Sequence, residues 1–455
     1  MLDLAIRNGF IVDVKNKKFI QGDVGIKDGI IQSVGTICTL AKTEINAQGM
    51  CVSPGFIDIH MHEEDFELTH GRTYDISERM ALMGVTTAVA GNCGNNRQHP
   101  RELEKFVNHV GSPINYMSCI GNNFLRKQVG NIDPYAKSTK KQIEQMRIQL
   151  YEAVEEGAVG VSFGLEYCPG TDTNEAIEIC KEIQGRDNLF LTFHYRKDAM
   201  NAPESLMEMV DISRNVDIPL QIAHISSLSA YGNMQKILNM LSEFREEGLD
   251  VMADAYPYAA FSSAIGSAVF DEGCFEAWGK SYDSILLTEE PYKGMLCSRD
   301  LFYKARKEYP KMIAVAMVMN EDEIVMALQH PLIMVGSDGL YRNHRGHPRG
   351  AGTFPRILGK YTREDKKLNF FDAINKMTLM PAQRIGIHSK GQIAEGFDAD
   401  IVIFNKDTIL DQATFEHPQK APVGIQHVIV NGNLAVKNGE IISYKTGKYL
   451  KKTSK

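Results

Sequence analysis

The sequence predicts an α/β fold: a (β/α)8 TIM-type barrel joined to a small β domain assembled from both chain ends. Three observations carry this. Eight apolar, strand-like runs alternate with helical patterns through the middle of the chain; the two ends are short strands punctuated by Gly-containing turns; and 455 residues suit one large barrel with an accessory piece.

Taken in order, LAIRNGFIVDV, GDVGIKDGIIQSVG and TEINAQGMCV alternate with a period near two and are broken by Asn-Gly and Asp-Gly pairs that favour hairpins. Residues 1–54 are therefore the first part of the β domain. Residues 55–383 carry the barrel runs GFIDIHMH, GVTTAVAGNC, INYMSCIG, GAVGVSFG, LFLTFHY, IPLQIAHIS, LDVMADAYPY and PLIMVGSD. Between them, segments such as STKKQIEQMRIQLYEAVEEG show helical spacing of Ile, Met and Leu and end at a glycine. The stretch from Phe261 to Val315 is longer and less periodic, an insertion before the last strand of the kind that helps cover a site. Residues 384–455, with GQIAEGFDADIVIF and IQHVIVNGNLAVKNGEII, return to the turn-rich strand pattern and complete the small domain.

Composition excludes several functions. Fifty Lys and Arg against 57 Asp and Glu give a net charge of −7, and no basic run precedes the KYLKKTSK tail, so neither nucleic acid nor another polyanion is an expected partner. No segment approaches about 18 uninterrupted apolar residues and the N-terminus lacks a signal-peptide core, so no membrane association and a cytoplasmic address are expected. The eight cysteines form no CxxC pair, which argues against a disulfide framework or zinc ribbon.

The chemistry concentrates at strand ends. His60 and His62 stand two apart at the end of the first barrel run, so both point to one face. His194, His224 and Asp338 end three other runs, and a barrel places its active site at that edge. Four histidines and an aspartate converging on one mouth read as metal ligands rather than as isolated core residues. Cys93 ends the second run among Gly91, Asn92 and Gly94, a turn rather than a packed strand, where a thiolate beside imidazoles is a good zinc donor.

Together, PGFIDIHMH, GVTTAVAGNCG, FGLEYCPG, TFHYR, HPRGAGTFPRIL and GQIAEGFDADIVIF resemble the D-aminoacylase (N-acyl-D-amino-acid deacylase) branch of the amidohydrolase superfamily over nearly the whole chain. The resemblance implies that the small domain is a β-sandwich and that Cys93, His194 and His224 hold one zinc tightly. His60, His62 and Asp338 then fall where a second, weaker divalent metal lies. GAVGVSFG ends without the lysine that is carbamylated in hydantoinases, and Cys93 takes its place. Tyr167, Tyr256, Ser262 or Ser263, and Arg349 match positions that hold substrate carboxylates. Ser226 departs from the pattern, standing where the family commonly has a lysine.

The implied activity is zinc-dependent hydrolysis of an N-acyl-D-amino acid, with Asp338 as general base and then acid. Another amide, cyclic amide or amine substrate, and a non-catalytic barrel scaffold, are the competing expectations. The partner is a small N-acyl amino acid. Side-chain preference, acyl group, metal occupancy and oligomeric state stay open at this level.

Overall fold

The computed structural model describes residues 1–64, 74–342 and 344–452; the last three residues of the basic tail lie outside them. Both ends of the chain build one nine-stranded sheet. Its order is Glu440–Ile441, Asn433–Lys437, Ile425–Val430, Ile401–Phe404, Cys51–Pro54, Leu2–Asp13, Lys18–Lys27 and Ile30–Gly35, with Ala41–Asn46 also beside Leu2–Asp13. The two ends join where Ile401 opposes Pro54 and Phe404 opposes Cys51 in antiparallel register. Asp28-Gly29 and Asn431-Gly432 turn their hairpins with positive φ at both residues, the mirror-image geometry that matches strand twist and that Asp, Asn and Gly tolerate. Ile6, Ile11, Val24, Ile26, Val52, Ile401 and Ile403 pack into a core belonging to this sheet alone.

All eight barrel runs form strands, and they run parallel. Phe56–Asp58, Val85–Ala90 and Asn115–Ser118 make a three-stranded sheet. Ile120–Gly121, Val161–Gly164, Leu191–His194, Leu220–Ile222, Val251–Ala255 and Ile333–Val335 make a six-stranded one. Every residue of Val85–Ala90, Val161–Gly164 and Leu191–His194 is buried, which is why these segments read as unbroken apolar runs.

The strands form two regular ladders rather than the one unbroken ring expected. At one seam the backbone N–H of Val159 donates to Ser118, but Tyr116 is taken by the returning tail: its N–H donates to Lys448 and its carbonyl accepts from Leu450. At the other seam Met61 bridges Gly339, flanked by Asp338 N–H to the His60 carbonyl (2.7 Å) and His62 N–H to the Gly339 carbonyl (3.0 Å).

Helix Lys140–Glu155 starts at a capping box in which Thr139 and Gln142 each accept from the other's backbone N–H, and it buries Met146, Leu150 and Ala153. The 261–315 insertion holds a three-stranded antiparallel sheet, Phe261–Ala264, Ile313–Ala316 and Ile285–Leu287, packed with Phe270, Phe275, Trp278 and Phe302. Trp278 Nε1 donates to Asp198 (2.7 Å), tying the insertion to the loop after strand Leu191–His194. Among the described residues no helix is long and apolar enough to cross a membrane.

Candidate metal centre

Three of the parallel strands end in the same way. Cys93, His224 and Asp338, just beyond Val85–Ala90, Leu220–Ile222 and Ile333–Val335, have φ of 52°, 32° and 48°. A non-glycine residue in this left-handed region carries a strain of about 1–3 kcal/mol, and such strain clusters at functional sites. Here it turns the chain sharply at the strand end, where the three side chains come together with the histidines.

The six ligand candidates form two groups sharing one residue. Cys93, His194 and His224 make one; His60, His62, Cys93 and Asp338 make the other; within each, the donor atoms lie within 4.8 Å of one another. Cys93 Sγ is 3.3 Å from His60 Nε2 and 3.4 Å from His224 Nε2, and His194 Nδ1 is 3.0 Å from His224 Nε2. Asp338 Oδ1 is 3.1 Å from His62 Nε2 and 3.5 Å from His60 Nε2.

Such a cluster is electrostatically extreme. Burial opposes the Cys93 thiolate, yet His60 and His224, with hydrogen bonds from His194 and His224, hold the thiol well below its ordinary range. Burial also opposes charge on His62 and His194, but Asp338 and Cys93 push His62 up to about 9, and Cys93 and Glu166 push His194 up to about 9. Asp338 is fully inside, which favours its neutral form, but Arg349 and the imidazoles of His62, His224 and His60 hold it well below the usual carboxylate range. Soft sulfur, imidazole nitrogen and one carboxylate, with donor atoms within 4.8 Å of one another in each group, fit a zinc-type cation.

Residues behind the ligand candidates orient them, and sequence reasoning missed these. Glu166 Oε2 is 2.7 Å from His194 Nε2, Ser227 Oγ is 2.7 Å from His224 Nδ1, and Asp254 Oδ1 is 3.2 Å from His60 Nδ1. Asp254 also accepts from the His224 backbone N–H (2.8 Å) and from Gln221 (3.0 Å). Each contact leaves the other ring nitrogen of its histidine for the cluster, the arrangement that fixes tautomer and basicity in metal sites. A signal existed: Asp254 is an ionisable residue inside an otherwise apolar strand run, and Glu166 precedes Tyr167 in the GLEY loop.

The cluster opens into a cleft of about 310 Å³, whose lining includes His62, Cys93, Tyr167, Ser262, Ser263, Asp338 and Arg349. Tyr167 packs against His194 with its ring tilted, centroids 4.3 Å apart, and Tyr256 lies beneath the Arg349 guanidinium at 4.6 Å. Ser226 is buried at the start of the short helix Ile225–Ser229, its hydroxyl with no hydrogen-bond partner among the described residues. Arg349, expected to hold a substrate carboxylate, rests its Nη1 2.8 Å from Asp338 Oδ2, in a side chain only 2 % exposed. A buried guanidinium at the first turn of helix Arg349–Arg356 opposes the helix dipole, so an anion has to accompany it.

A model of the amidohydrolase family matches residues 51–435. The chain belongs to the amidohydrolase family. It is 31 % identical to a D-aminoacylase of Alcaligenes xylosoxydans xylosoxydans, over 94 % of this chain and 93 % of that protein. Among solved structures, a D-aminoacylase with a binuclear metal centre, described by one-metal activation and second-metal attenuation, superposes with a TM-score of 0.89 at 27 % identity, covering 99 % of this chain and 100 % of the other. An N-acyl-D-glutamate deacylase from Bordetella bronchiseptica, bound to zinc and a phosphonate mimic of the tetrahedral intermediate, superposes with a TM-score of 0.87 at 28 % identity and the same coverage. Within the family, the likeness is to the D-aminoacylases.

Proposed function

We propose that this amidohydrolase is a zinc-dependent deacylase that hydrolyses the amide bond of an N-acyl-D-amino acid, releasing a D-amino acid and a carboxylate. The observation that carries the reading is the shared-cysteine cluster: Cys93 with His194 and His224 on one side, and with His60, His62 and Asp338 on the other, at the floor of one cleft. The likeness to proteins whose names state that activity supports it.

Cys93, His194 and His224 would hold the tighter zinc, and His60, His62 and Asp338, with Cys93, a weaker divalent metal. Zinc bound there would polarise the amide carbonyl and make water a nucleophile near neutral pH. Asp338, kept ionised by Arg349, accepts the proton of the attacking water and returns it to the leaving amine. Glu166, Ser227 and Asp254 hold the imidazoles so that little rearrangement accompanies the reaction. Tyr167, Ser262 and Ser263 line the cleft as hydroxyl donors, and Arg349 over Tyr256 is the fixed cation that a substrate carboxylate would approach.

The two parallel ladders are best taken as one (β/α)8 barrel over 55–383, with the nine-stranded sheet as a β-sandwich-type domain from 1–54 and 384–455. Eight free cysteines fit a reducing, cytoplasmic setting.

Elemental analysis combined with hydrolysis assays on N-acetyl and N-formyl amino acids of both hands tests the function. Bound zinc and turnover confined to the D series are expected. A zinc-loaded protein that cleaves only cyclic amides or deaminates amines would overturn the substrate assignment.

A further inference from the structure

We propose that His347 is the positioning residue of the carboxylate anchor: its imidazole accepts the Arg349 backbone N–H and thereby sets where the Arg349 guanidinium stands above Tyr256. This rests on the deacylase reading and adds a residue to the same site.

His347 opens the HPRGAGTFPR segment and lies wholly buried behind Arg349, outside the lining of the cleft. Helix Arg349–Arg356 follows Pro348, and the backbone N–H groups of a helix's first turn have no acceptors within the helix. His347 supplies acceptors for two of them: its Nδ1 accepts from the Arg349 N–H (3.0 Å) and its carbonyl from the Gly350 N–H (3.4 Å). Two glycines let the helix dock without clearance, because a Cβ at Gly350 would collide with the Tyr341 ring (2.8 Å) and one at Gly352 with the Tyr258 hydroxyl. With the helix seated this closely, the placement of its first residue decides whether the Arg349 side chain reaches both the Tyr256 face at 4.6 Å and Asp338 Oδ2 at 2.8 Å.

A histidine suits this position for a physical reason. Accepting an N–H two residues ahead is ordinary work for Asp, Asn or Ser. An aspartate here would set a second anion beside Arg349 and draw the guanidinium from Asp338. Asparagine or serine would leave space between Tyr258 and Phe415, whose rings stand edge-to-face with the imidazole at centroid distances of 5.2 and 5.1 Å. Burial and the nearby Arg349 charge hold His347 well below its ordinary pKa, so the ring stays uncharged and Nδ1 keeps the lone pair that the Arg349 N–H uses. The imidazole is thus an uncharged acceptor that also fills an aromatic box, a combination no other side chain offers at this size.

The zinc-loaded full-length protein is assayed on the N-acetyl-D-amino acid that it hydrolyses best and on the α-carboxamide of that compound, and the ratio of the two kcat/KM values reads the anchor. Wild type should favour the acid by at least about tenfold, as expected of a charge-assisted contact. His347→Leu fills the site but offers no acceptor; it should pull the ratio toward one, chiefly by raising KM for the acid, with zinc content unchanged. His347→Asn keeps an acceptor within reach of the Arg349 N–H but fills the site poorly; it should hold the ratio within about threefold of wild type although its Tm falls. Packing alone would reverse that order, with His347→Leu near wild type and His347→Asn impaired, and that result would overturn the proposal. A ratio kept by both variants, or lost by both, would do the same. If His347→Leu does not fold, His347→Met takes its place, and failure of both to fold would assign His347 to stability and also overturn the proposal. Equal wild-type rates on acid and carboxamide would remove the anchor, and the proposal with it, while leaving the deacylase reading. No turnover of any N-acetyl-D-amino acid would overturn the deacylase reading itself.

Discussion

Two clusters of buried polar residues sit at opposite ends of the parallel strands, and they are built on opposite terms. At the strand starts, Lys390 bridges Asp398 (3.0 Å) and Asp400 (2.6 Å), and Asp400 also accepts from Asn115 (2.9 Å) and the Asn431 backbone (2.7 Å). Asn115 in turn accepts from Asn431 Nδ2 (2.7 Å) and the Lys448 backbone (3.0 Å). Donors and acceptors are matched there, and the network fastens the terminal sheet and the returning tail to the strands. At the strand ends, four histidines, a thiolate and a carboxylate crowd together, three of them on left-handed backbone, while the hydroxyls of Ser226 and Ser262 are buried with no hydrogen-bond partner among the described residues. Polar burial that is satisfied internally stabilises one fold; polar burial left unsatisfied is arranged for something the chain alone does not supply.

The comparison predicts separable effects. Cys93→Ala removes the one ligand shared by both groups, so zinc content should fall to a small fraction per chain and turnover by at least about 10³-fold, several kcal/mol of barrier. Elemental analysis beside kinetics checks this, and full zinc with full activity would return Cys93 to the core. Asp338→Asn keeps a residue type that tolerates left-handed backbone but cannot take the proton; kcat should drop by about 10²–10⁴. At the other end, Lys390→Met leaves two carboxylates without their cation and should cost about 3–5 kcal/mol in urea unfolding, with unaltered kcat for the folded fraction. A loss of kcat there would show that the two ends are not independent. Arg349→Lys, which keeps charge but loses the planar fork, should lower kcat/KM by about tenfold, mainly through KM if the contact serves ground and transition states alike.

The last expected effect is a pH dependence. Lys376 donates to the carbonyls of His330 (2.5 Å) and Ile333 (2.8 Å), and burial depresses its pKa from 10.5 to about 8. Between pH 8 and about 10.5 the unfolded chain binds more protons at this position than the folded one, so this residue makes stability rise with pH across that window. Urea midpoints of wild type and Lys376→Met should therefore separate in favour of the wild type as pH climbs from 8 to 10. Parallel curves would assign the lysine an ordinary titration.

Much of this partition is legible in the sequence. The eight strand-forming runs announce themselves because they are buried on both faces, and the ligand candidates because they stand at the ends of those runs. Asp28-Gly29, Asn431-Gly432 and Asn438-Gly439 mark hairpins because positive φ at both positions suits few other residues, whereas Asn8-Gly9, expected to be a turn as well, lies inside strand Leu2–Asp13 as a bulge. What the sequence hides depends on three-dimensional approach. The return of Lys448–Leu450 to Tyr116 is backbone pairing without an apolar signature. The pairing of Arg349 with Asp338 follows from where helix Arg349–Arg356 docks, and Glu166 and Ser227 gain their role only once His194 and His224 are placed beside them.

Titrating zinc into metal-free protein while recording hydrolysis of an N-acetyl-D-amino acid tests the central claim most directly. The account predicts no turnover without metal, full activity by about one equivalent as the Cys93, His194 and His224 position fills, and no further gain from a second equivalent. Undiminished turnover in the metal-free protein, or none at any zinc level, would contradict it.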